Sequence, residues 1–152
     1  SVGDYDYVKD IIKNELGCDV KFQGVNIKPG QHILFAKKDD KYSIGLPGFA
    51  YSSTVTFLLY VLPLIFKFKN SDESLKIINA IIDEDFNKKA SKTIFTACNV
   101  NYVDGEYKVN FNGKKNGTSA ILTNMLGNPG LLVQEEESLN ISKGDKVKVI
   151  LL

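Results

Sequence analysis

The sequence has little of the chemistry that builds disulfide scaffolds or transition-metal sites. Its 152 residues include two cysteines, one histidine and no tryptophan. Cys18 and Cys98 are too few for a disulfide-dense secreted domain, and neither forms a paired ligand motif with His32. We therefore predict that the protein works in a reducing cytoplasm and has no soft-ligand metal centre.

The chain also lacks an excess of charge of either sign. Its 19 basic residues nearly cancel its 18 acidic residues, which gives a formal net charge of +1. A strongly basic face would indicate nucleic acid or an anionic membrane as partner. We expect neither partner, so the ligand has to be inferred from a local site.

Long hydrophobic runs are scarce as well. The most apolar segment, residues 55–66, is shorter than the roughly 20 residues that cross a bilayer, so we predict a buried core helix. Pro63 should bend this helix or lie in its last turn. The sequence begins at Ser1 without a signal-peptide leader, and we expect it to be a fragment of a longer protein.

Residues 1–70 alternate helical and strand patterns, which predicts part of an α/β layered domain. The stretch "GDYDYVKDIIKNELG" places apolar residues on one helical stripe, with Asp4 positioned to cap the start and Gly17 to end the helix. Tyr5, Val8, Ile11, Ile12 and Leu16 form that stripe. Strands are predicted at 20–25, 33–37 and 41–46, with a turn at 26–32.

The pattern changes after Asn70. Residues 71–77 are polar and resemble a linker, and residues 78–152 contain short β-branched and aromatic runs separated by turn signals. Asp104-Gly105 is a strong signal for a two-residue hairpin turn. We therefore predict a β-barrel-like C-terminal domain of about five or six strands over 78–152.

Two acidic residues at the start of the first helix allow two interpretations. Asp4 and Asp6 can cap the helix and interact with its dipole. They can also bind a hard cation, because carboxylate and phosphate oxygens are the ligands that Mg²⁺ prefers. The residues alone leave both interpretations open.

Two turns could bind an anion. Lys28 precedes Pro29-Gly30, where it is either a solvated turn lysine or a point charge held on a rigid bend. The stretch "GLPGFAYSS", residues 45–53, interrupts apolar sequence with Pro47, Gly48 and Ser52 just before a helix. It is either a plain capped turn or a loop whose backbone donors and hydroxyls bind an oxyanion at the helix N-terminus.

Three blocks in this order resemble the MoeA family of molybdopterin molybdenumtransferases, to which gephyrin is related. They are "SVGDYDYVKDIIKNELG", "F-x-G-V-x-I-K-P-G" at residues 22–30, and "GLPG" at residues 45–48 followed by an apolar helix. The later segments "LGNPGLLV" and "ISKGDKVKVILL" resemble the last strands of the family's C-terminal β-barrel domain. The resemblance implies a partial three-layer molybdopterin-binding domain followed by that barrel.

The resemblance implies insertion of molybdate into adenylylated molybdopterin with release of AMP, using Mg²⁺, in a cytoplasmic homodimer. By position, Asp6 would be a catalytic residue and metal ligand, and Lys28 a catalytic residue that also binds the ligand. The other implied ligand-binding residues are Gly3, Pro47, Gly48 and Ser52. The fragment alone is expected to be inactive, because other parts of the family's proteins complete the site.

The ligand loop departs from the family pattern. Where the family usually reads P-G-N-P-V-S, this chain reads "PGFAYS", so that Phe49, Ala50 and Tyr51 replace asparagine, proline and valine. Gln31 and His32 also replace the usual lysine and proline after the first turn. An alternative function is therefore a degenerate or gephyrin-like binding or scaffolding module, in which Phe49 and Tyr51 fill the former pocket or form a contact surface.

Asp6 offers a direct test of the enzymatic hypothesis. We expect Asp6→Asn in the full-length protein to abolish molybdate insertion, because the amide cannot supply the negative charge that a divalent cation requires. Insertion can be measured as AMP release. Unchanged activity would remove Asp6 from the mechanism.

Overall fold

The computed structural model describes residues 7–87, 91–115, 118–138 and 140–152, which form two β-sheets and one long helix between them. The strands are β1 (Asp19–Gln23), β2 (Ile27–Lys28), β3 (Leu34–Lys38), β4 (Lys41–Gly45), β5 (Ile77–Ile82), β6 (Thr93–Val103), β7 (Glu106–Asn110), β8 (Pro129–Gln134) and β9 (Lys146–Leu151). The helices are α1 (residues 8–15, α-helical over Val8–Asp10 and π-helical over Ile11–Glu15), α2 (Ala50–Phe68) and a 3₁₀ turn (Leu122–Met125).

Five strands close into a barrel-like sheet in the order β6-β7-β5-β9-β8, and β8 returns to β6. The long strand β6 permits closure because residues 94–99 pair with β8 and residues 99–103 pair with β7. Asp104 and Gly105 form the tight β6–β7 turn, both with positive φ. The predicted β-barrel-like domain is therefore confirmed, and the hairpin lies where the Asp-Gly pair places it.

Alternation along the barrel strands creates two apolar faces. Cys98, Leu132 and Val149 point into the barrel core, whereas their neighbours Leu131 and Ile150 belong to a second cluster on the outer face. This alternation follows from the two-residue period of a strand. The barrel thus has apolar side chains inside and a second apolar surface for another element to cover.

That element is the first part of α2. Tyr51 and Val55 pack with Phe95, Leu131 and Ile150 on the outer face of the barrel. Burying an aromatic and an aliphatic side chain of this size stabilises the arrangement by about 1.5–3 kcal/mol each. The contact fixes the start of α2 against strand β6.

The second part of α2 is not packed against the barrel in this way. The prediction of a buried core helix over 55–66 is wrong for that part. Phe57 and Ile65 are each 37% exposed and Phe68 is 58% exposed. Only 22% of the helix's most apolar window is buried, and by length and composition alone the helix could cross a membrane. Helices of water-soluble proteins also meet that criterion.

Pro63 neither ends nor breaks α2. A π-helical segment, Phe57–Val61, precedes it, and the Leu62 amide donates to the Phe57 carbonyl five residues back. Proline has no amide to donate, so an α-helical interior would lose one hydrogen bond at this position. The wider turn changes the hydrogen-bond register just before Pro63, and the α-helix then continues from Leu62 to Phe68.

The small sheet has the order β1-β3-β4, and both pairings are antiparallel. Leu34 and Ala36 of β3 pack on Ile12 of α1, while Phe35 stacks on Phe22 with ring centroids 5.4 Å apart. The aromatic face continues to Tyr42, Tyr60 and Phe68. The far end of α2 is therefore held on the opposite face of the sheet from α1.

Several sequence-based details of the first half need correction. The segment 26–32 is not only a turn, because Ile27 and Lys28 form a short parallel strand beside Thr93 and Ile94 of β6. The sheet before α2 is antiparallel, so the rule that ligands bind beyond the carboxyl ends of parallel strands does not apply. The prediction of a partial three-layer α/β domain is therefore wrong for the described residues, where a small antiparallel sheet and two helices precede the barrel, and the 71–77 linker stays a prediction.

The apolar stripe predicted for α1 is also mostly exposed. Ile12 is buried, but Val8, Ile11 and Leu16 are 40–49% exposed, and the predicted start at Asp4 and Tyr5 lies outside the described residues. Gly17 ends the helix as predicted, with a φ of 61°. The small sheet thus buries a single apolar residue of the described helix, Ile12.

Gly130 of β8 should be intolerant of any side chain. A Cβ atom at this position would lie 2.5 Å from Val100 Cγ2 and 2.8 Å from Val149 Cγ1, inside the barrel. We expect Gly130→Ala to lower the free energy of unfolding by about 1–3 kcal/mol through overpacking. Gly48→Ala is the matched control, because no atom lies within 4 Å of its added Cβ and the change should stay within about 0.5 kcal/mol. Equal effects of the two substitutions in urea denaturation would contradict the packing described for the barrel.

Cys98 should make the stability of the barrel sensitive to high pH. Burial raises the pKa of its thiol from the ordinary value of 9.0 to about 12. Between these values the unfolded chain loses the proton first, so the free energy of unfolding should fall as the pH rises above 9, by up to about 1.4 kcal/mol per pH unit. Cys98→Ala should flatten that slope in denaturation curves recorded from pH 8 to 11. Identical slopes in the two proteins would contradict the prediction.

Candidate functional site

A cavity of about 860 Å³ lies where the turn after β2, the loop before α2 and strand β6 meet. A loop of the barrel that contains residues 115, 118–119 and 124 completes its wall. The lining residues are Ile27, Lys28, Pro29, Gly30, Gln31, His32, Pro47, Gly48, Phe49, Tyr51, Ser52, Lys92, Ile94, Phe95, Thr96, Ala97, Lys115, Thr118, Ser119 and Asn124.

The structure brings together the two turns that the sequence singled out. Lys28 from the first turn lines the same cavity as Pro47, Gly48 and Ser52 from the second. Lys28 and Gly48 are exposed, whereas Pro47 and Ser52 are buried. The remaining predicted residues, Gly3, Asp4 and Asp6, lie outside the described residues, and the roles assigned to all of these positions stay predictions.

The N-terminus of α2 is capped from the barrel. The Tyr51 and Ser52 amide nitrogens lie 3.1 Å and 3.4 Å from the Ser119 carbonyl oxygen. These are the second and third amides of the helix, which an N-cap side chain usually satisfies, but the residue at that position is Phe49. Two of the backbone donors that the sequence offered to an oxyanion are therefore engaged by the protein itself.

Tyr51 turns inward from this helix start. It is 5% exposed, and its hydroxyl donates to the Phe95 carbonyl of β6 at 3.0 Å. Burial raises the pKa of the phenol, so the group stays a neutral donor at physiological pH. Tyr51 thus links α2 to the barrel, while Phe49, two residues earlier, is 60% exposed on the cavity.

The turn after β2 packs directly on α2. A Cβ atom at Gly30 would lie 2.3 Å from Thr56 Cγ2, and the φ of Gly30 is 103°. Only glycine permits both this backbone conformation and this close approach. The Lys92 ammonium donates to the Gln31 side-chain oxygen, which joins the turn to the start of β6.

Positive charge is concentrated in this cavity. Its described lining includes Lys28, Lys92 and Lys115 and includes no aspartate or glutamate. The protein as a whole has a formal net charge of only +1. The cavity therefore differs from the rest of the surface and suits a phosphate or another oxyanion.

Asn124 holds the loop that supplies Lys115. Its side-chain oxygen accepts from the Lys115 amide at 2.8 Å, and its amide nitrogen donates to the Lys115 carbonyl at 2.9 Å. The neighbouring Lys114 ammonium donates to the carbonyls of Asn124 and Leu126. Because Asn124 is 3% exposed, its two bonds to Lys115 are partly shielded from water, and together with the Lys114 bonds they fix the loop at the cavity wall.

The sequence did not indicate the residues that the barrel contributes. Lys92, Lys115 and Ser119 lie 40 or more residues beyond the α2 loop and belong to no motif that identifies a ligand. For the two lysines the only sequence signal was the basic side chain, and Ser119 had none. The β2–β6 pairing and the Ser119 cap bring them to the cavity, and both are contacts between distant parts of the chain.

The described residues offer no centre for Mg²⁺. Over the ranges that the structure describes, no group of three or more His, Cys, Asp or Glu side chains could hold a metal ion. The cavity lining has no carboxylate, and its three lysines would repel a divalent cation. Asp6 remains the one residue predicted to bind it.

Sequence comparison relates the chain to molybdenum cofactor proteins. Residues 79–152 match the profile of the MoeA C-terminal region (domain IV). The chain is 36% identical over 130 residues to the molybdenum cofactor synthesis protein cinnamon of Drosophila melanogaster, covering 84% of this chain and 21% of that protein. It is 27% identical to the molybdopterin molybdenumtransferase of Haemophilus influenzae, covering 98% of this chain and 37% of the relative. The chain thus spans only about a fifth to two-fifths of these relatives.

Solved structures share the fold over nearly the whole chain. The molybdenum cofactor biosynthesis protein of Pyrococcus furiosus superposes with a TM-score of 0.71 at 21% identity, covering 95% of this chain and 55% of that one. The MoeA protein of Pyrococcus horikoshii gives a TM-score of 0.66 at 22% identity, covering 100% of this chain and 39% of that one. At these identities the likeness concerns the fold alone. Taken with the sequence matches, the chain belongs to the MoeA family and corresponds to its C-terminal part.

Proposed function

We propose that the chain supplies one wall of the substrate site of a molybdopterin molybdenumtransferase, in molybdenum cofactor biosynthesis. The observation that supports this function is the single cavity that joins Lys28 and the Pro47–Ser52 loop to Lys92 and Lys115 of the barrel part. The implied reaction inserts molybdate into adenylylated molybdopterin and releases AMP. Both substrates are anions, and the cavity has the matching charge.

The residues of this chain would act by charge and position. The ammonium groups of Lys28, Lys92 and Lys115 would offset the charge of phosphate and molybdate oxygens. Ser52 and the Pro47-Gly48 backbone would set the position of the bound group, because the Ser119 cap and the Tyr51–Phe95 bond fix this loop. Gly48 has open space beside it, so a ligand can approach the main chain.

Asp6 and Mg²⁺ enter the proposal only through the family resemblance. The described lining does not fit a cation, and Asp6 lies outside the described residues. The homodimer and the cytoplasmic location likewise stay predictions. Cys18 and Cys98 are both free and buried, which supports a reducing compartment.

The pocket-filling form of the alternative, a degenerate or gephyrin-like non-catalytic module in which Phe49 and Tyr51 occupy the former pocket, has less support. Tyr51 points towards β6, Phe49 is 60% exposed, and a cavity of about 860 Å³ remains between the two turns. We therefore favour a site that still binds ligand. We expect the 152-residue chain alone to be catalytically inactive, and molybdate insertion by it would contradict this expectation.

The lysines can be tested by anion binding alone. We expect AMP and molybdate, each titrated into the 152-residue chain at low ionic strength, to shift amide NMR signals of residues around the cavity. Lys92→Gln should weaken both ligands about fivefold, as expected for a loss of about 1 kcal/mol from a charge-assisted hydrogen bond. Added salt should weaken binding further in the wild-type protein.

Lys41→Gln is the matched control for that experiment. Lys41 is an exposed lysine of β4 and does not line the cavity, yet its loss changes the net charge by the same amount. Its variant should bind both anions as the wild-type chain does. Equal weakening by the two substitutions, or no binding by the wild-type chain at millimolar ligand, would contradict the proposed site.

A further inference from the structure

Phe49 occupies a position where an apolar side chain has no structural use. It is the N-cap residue of α2, a position that favours Ser, Thr, Asp or Asn because their side chains accept hydrogen bonds from the first helical amides. A phenyl ring cannot do so, and Ser119 takes over that role. The ring is also 60% exposed, so it contributes little to the core.

The main chain beneath the ring is nevertheless held firmly. The Ser53 amide donates to the Phe49 carbonyl at 2.8 Å, and the two preceding amides of the helix, those of Tyr51 and Ser52, are bonded to Ser119. Tyr51 anchors the same turn to β6. An aromatic ring projecting from a fixed backbone loses little further conformational freedom when a ligand contacts it.

There is room for a flat group beside this ring. Phe49 and Gly48 both line the cavity, and a Cβ atom at Gly48 would meet nothing within 4 Å. The lysines lie on the same cavity, so one molecule can contact an ammonium group and the phenyl face together. The combination of stacking surface and positive charge suits a heteroaromatic ring that bears an anionic group.

We propose that Phe49 is a specificity-determining residue that stacks on the flat nitrogen heterocycle of a phosphorylated ligand while the cavity lysines bind its phosphate. The inference rests on the proposed function, because it assigns the ring-binding part of that site. Pterin phosphates and purine nucleotides share the required chemistry. Phe49, which replaces the usual asparagine of the family loop, would thus add a stacking contact to the ligand instead of closing the pocket.

The experiment compares ligands that differ only in the ring. The 152-residue chain is titrated with AMP, with neopterin monophosphate and with ribose 5-phosphate, which has the phosphate and sugar without a base. We expect the wild-type chain to bind at least one of the ring-bearing ligands about fivefold or more tightly than ribose 5-phosphate. The ring-bearing ligand whose affinity exceeds that of ribose 5-phosphate by the larger factor identifies the preferred heterocycle.

Substitutions at position 49 then assign the difference to Phe49. Phe49→Ala should reduce the ring-bearing ligand to the affinity of ribose 5-phosphate and leave ribose 5-phosphate unchanged, whereas Phe49→Trp should keep the preference. Alanine caps no better than phenylalanine at this exposed position, so the variant should fold normally. Phe57→Ala, an exposed phenylalanine of α2 away from the cavity lining, is the control and should behave as wild type.

The outcomes separate the two proposals. Binding of ribose 5-phosphate with a ring preference that Phe49→Ala does not change, or with no ring preference, would overturn the role of Phe49 and leave the anion site standing. A third outcome is that the wild-type chain binds a ring-bearing ligand but not ribose 5-phosphate, and that Phe49→Ala loses this binding. It would support the role of Phe49 and contradict the lysine site. Failure of every ligand to bind the wild-type chain would overturn both proposals.

Discussion

The position of α2 on the barrel, and with it the cavity, depends on hydrogen bonds between one carbonyl group and the first amides of that helix. Ser119 lies in a loop of the barrel, and its carbonyl oxygen accepts from the Tyr51 and Ser52 amides of α2. The amides at a helix start need partners, and here one carbonyl group of a barrel loop serves two of them. With the Tyr51–Phe95 hydrogen bond, this contact fixes the loop of residues 45–49 against β6. The cavity exists because the two parts of the chain are joined at this place.

The same junction explains why positive charge collects there. Ile27, next to Lys28, pairs with Thr93, next to Lys92, so the β2–β6 pairing brings both lysines to the same cavity. Several ammonium groups around one cavity repel each other, which raises the free energy of the empty site. The Lys92 contact to Gln31 offsets part of that cost, since a neutral amide replaces a further lysine of the usual family pattern. An anion would remove the remaining repulsion.

Local sequence patterns predicted the strands and turns well. They predicted less well which residues are buried and which distant residues come into contact. The Asp104-Gly105 hairpin, strands β3 and β4 and the barrel-like half followed from alternation and turn residues, because these signals are short-range. The exposure of α2 did not, since a run of apolar residues does not show what covers it. The two-residue strand β2 was missed because it exists only by pairing with β6. Likewise Lys28 and the Pro47–Ser52 loop were identified from sequence, whereas Lys92 and Ser119 join them only through long-range contacts.

The two sheets differ in whether they have edge strands with unpaired main-chain hydrogen-bonding groups. The barrel closes on itself, so each of its five strands has a neighbour on both sides. In the small sheet, β1 and β4 each have one partner strand within the described residues, which leaves a row of main-chain donors and acceptors at each side. Such edge strands can pair with another strand and lead to self-association. Lys21 and the irregular register oppose this pairing at β1, and Lys41 opposes it at β4. Self-association of the isolated chain through strand pairing should therefore begin at the small sheet, because β7, β5, β9 and β8 of the barrel already have a neighbour on both sides.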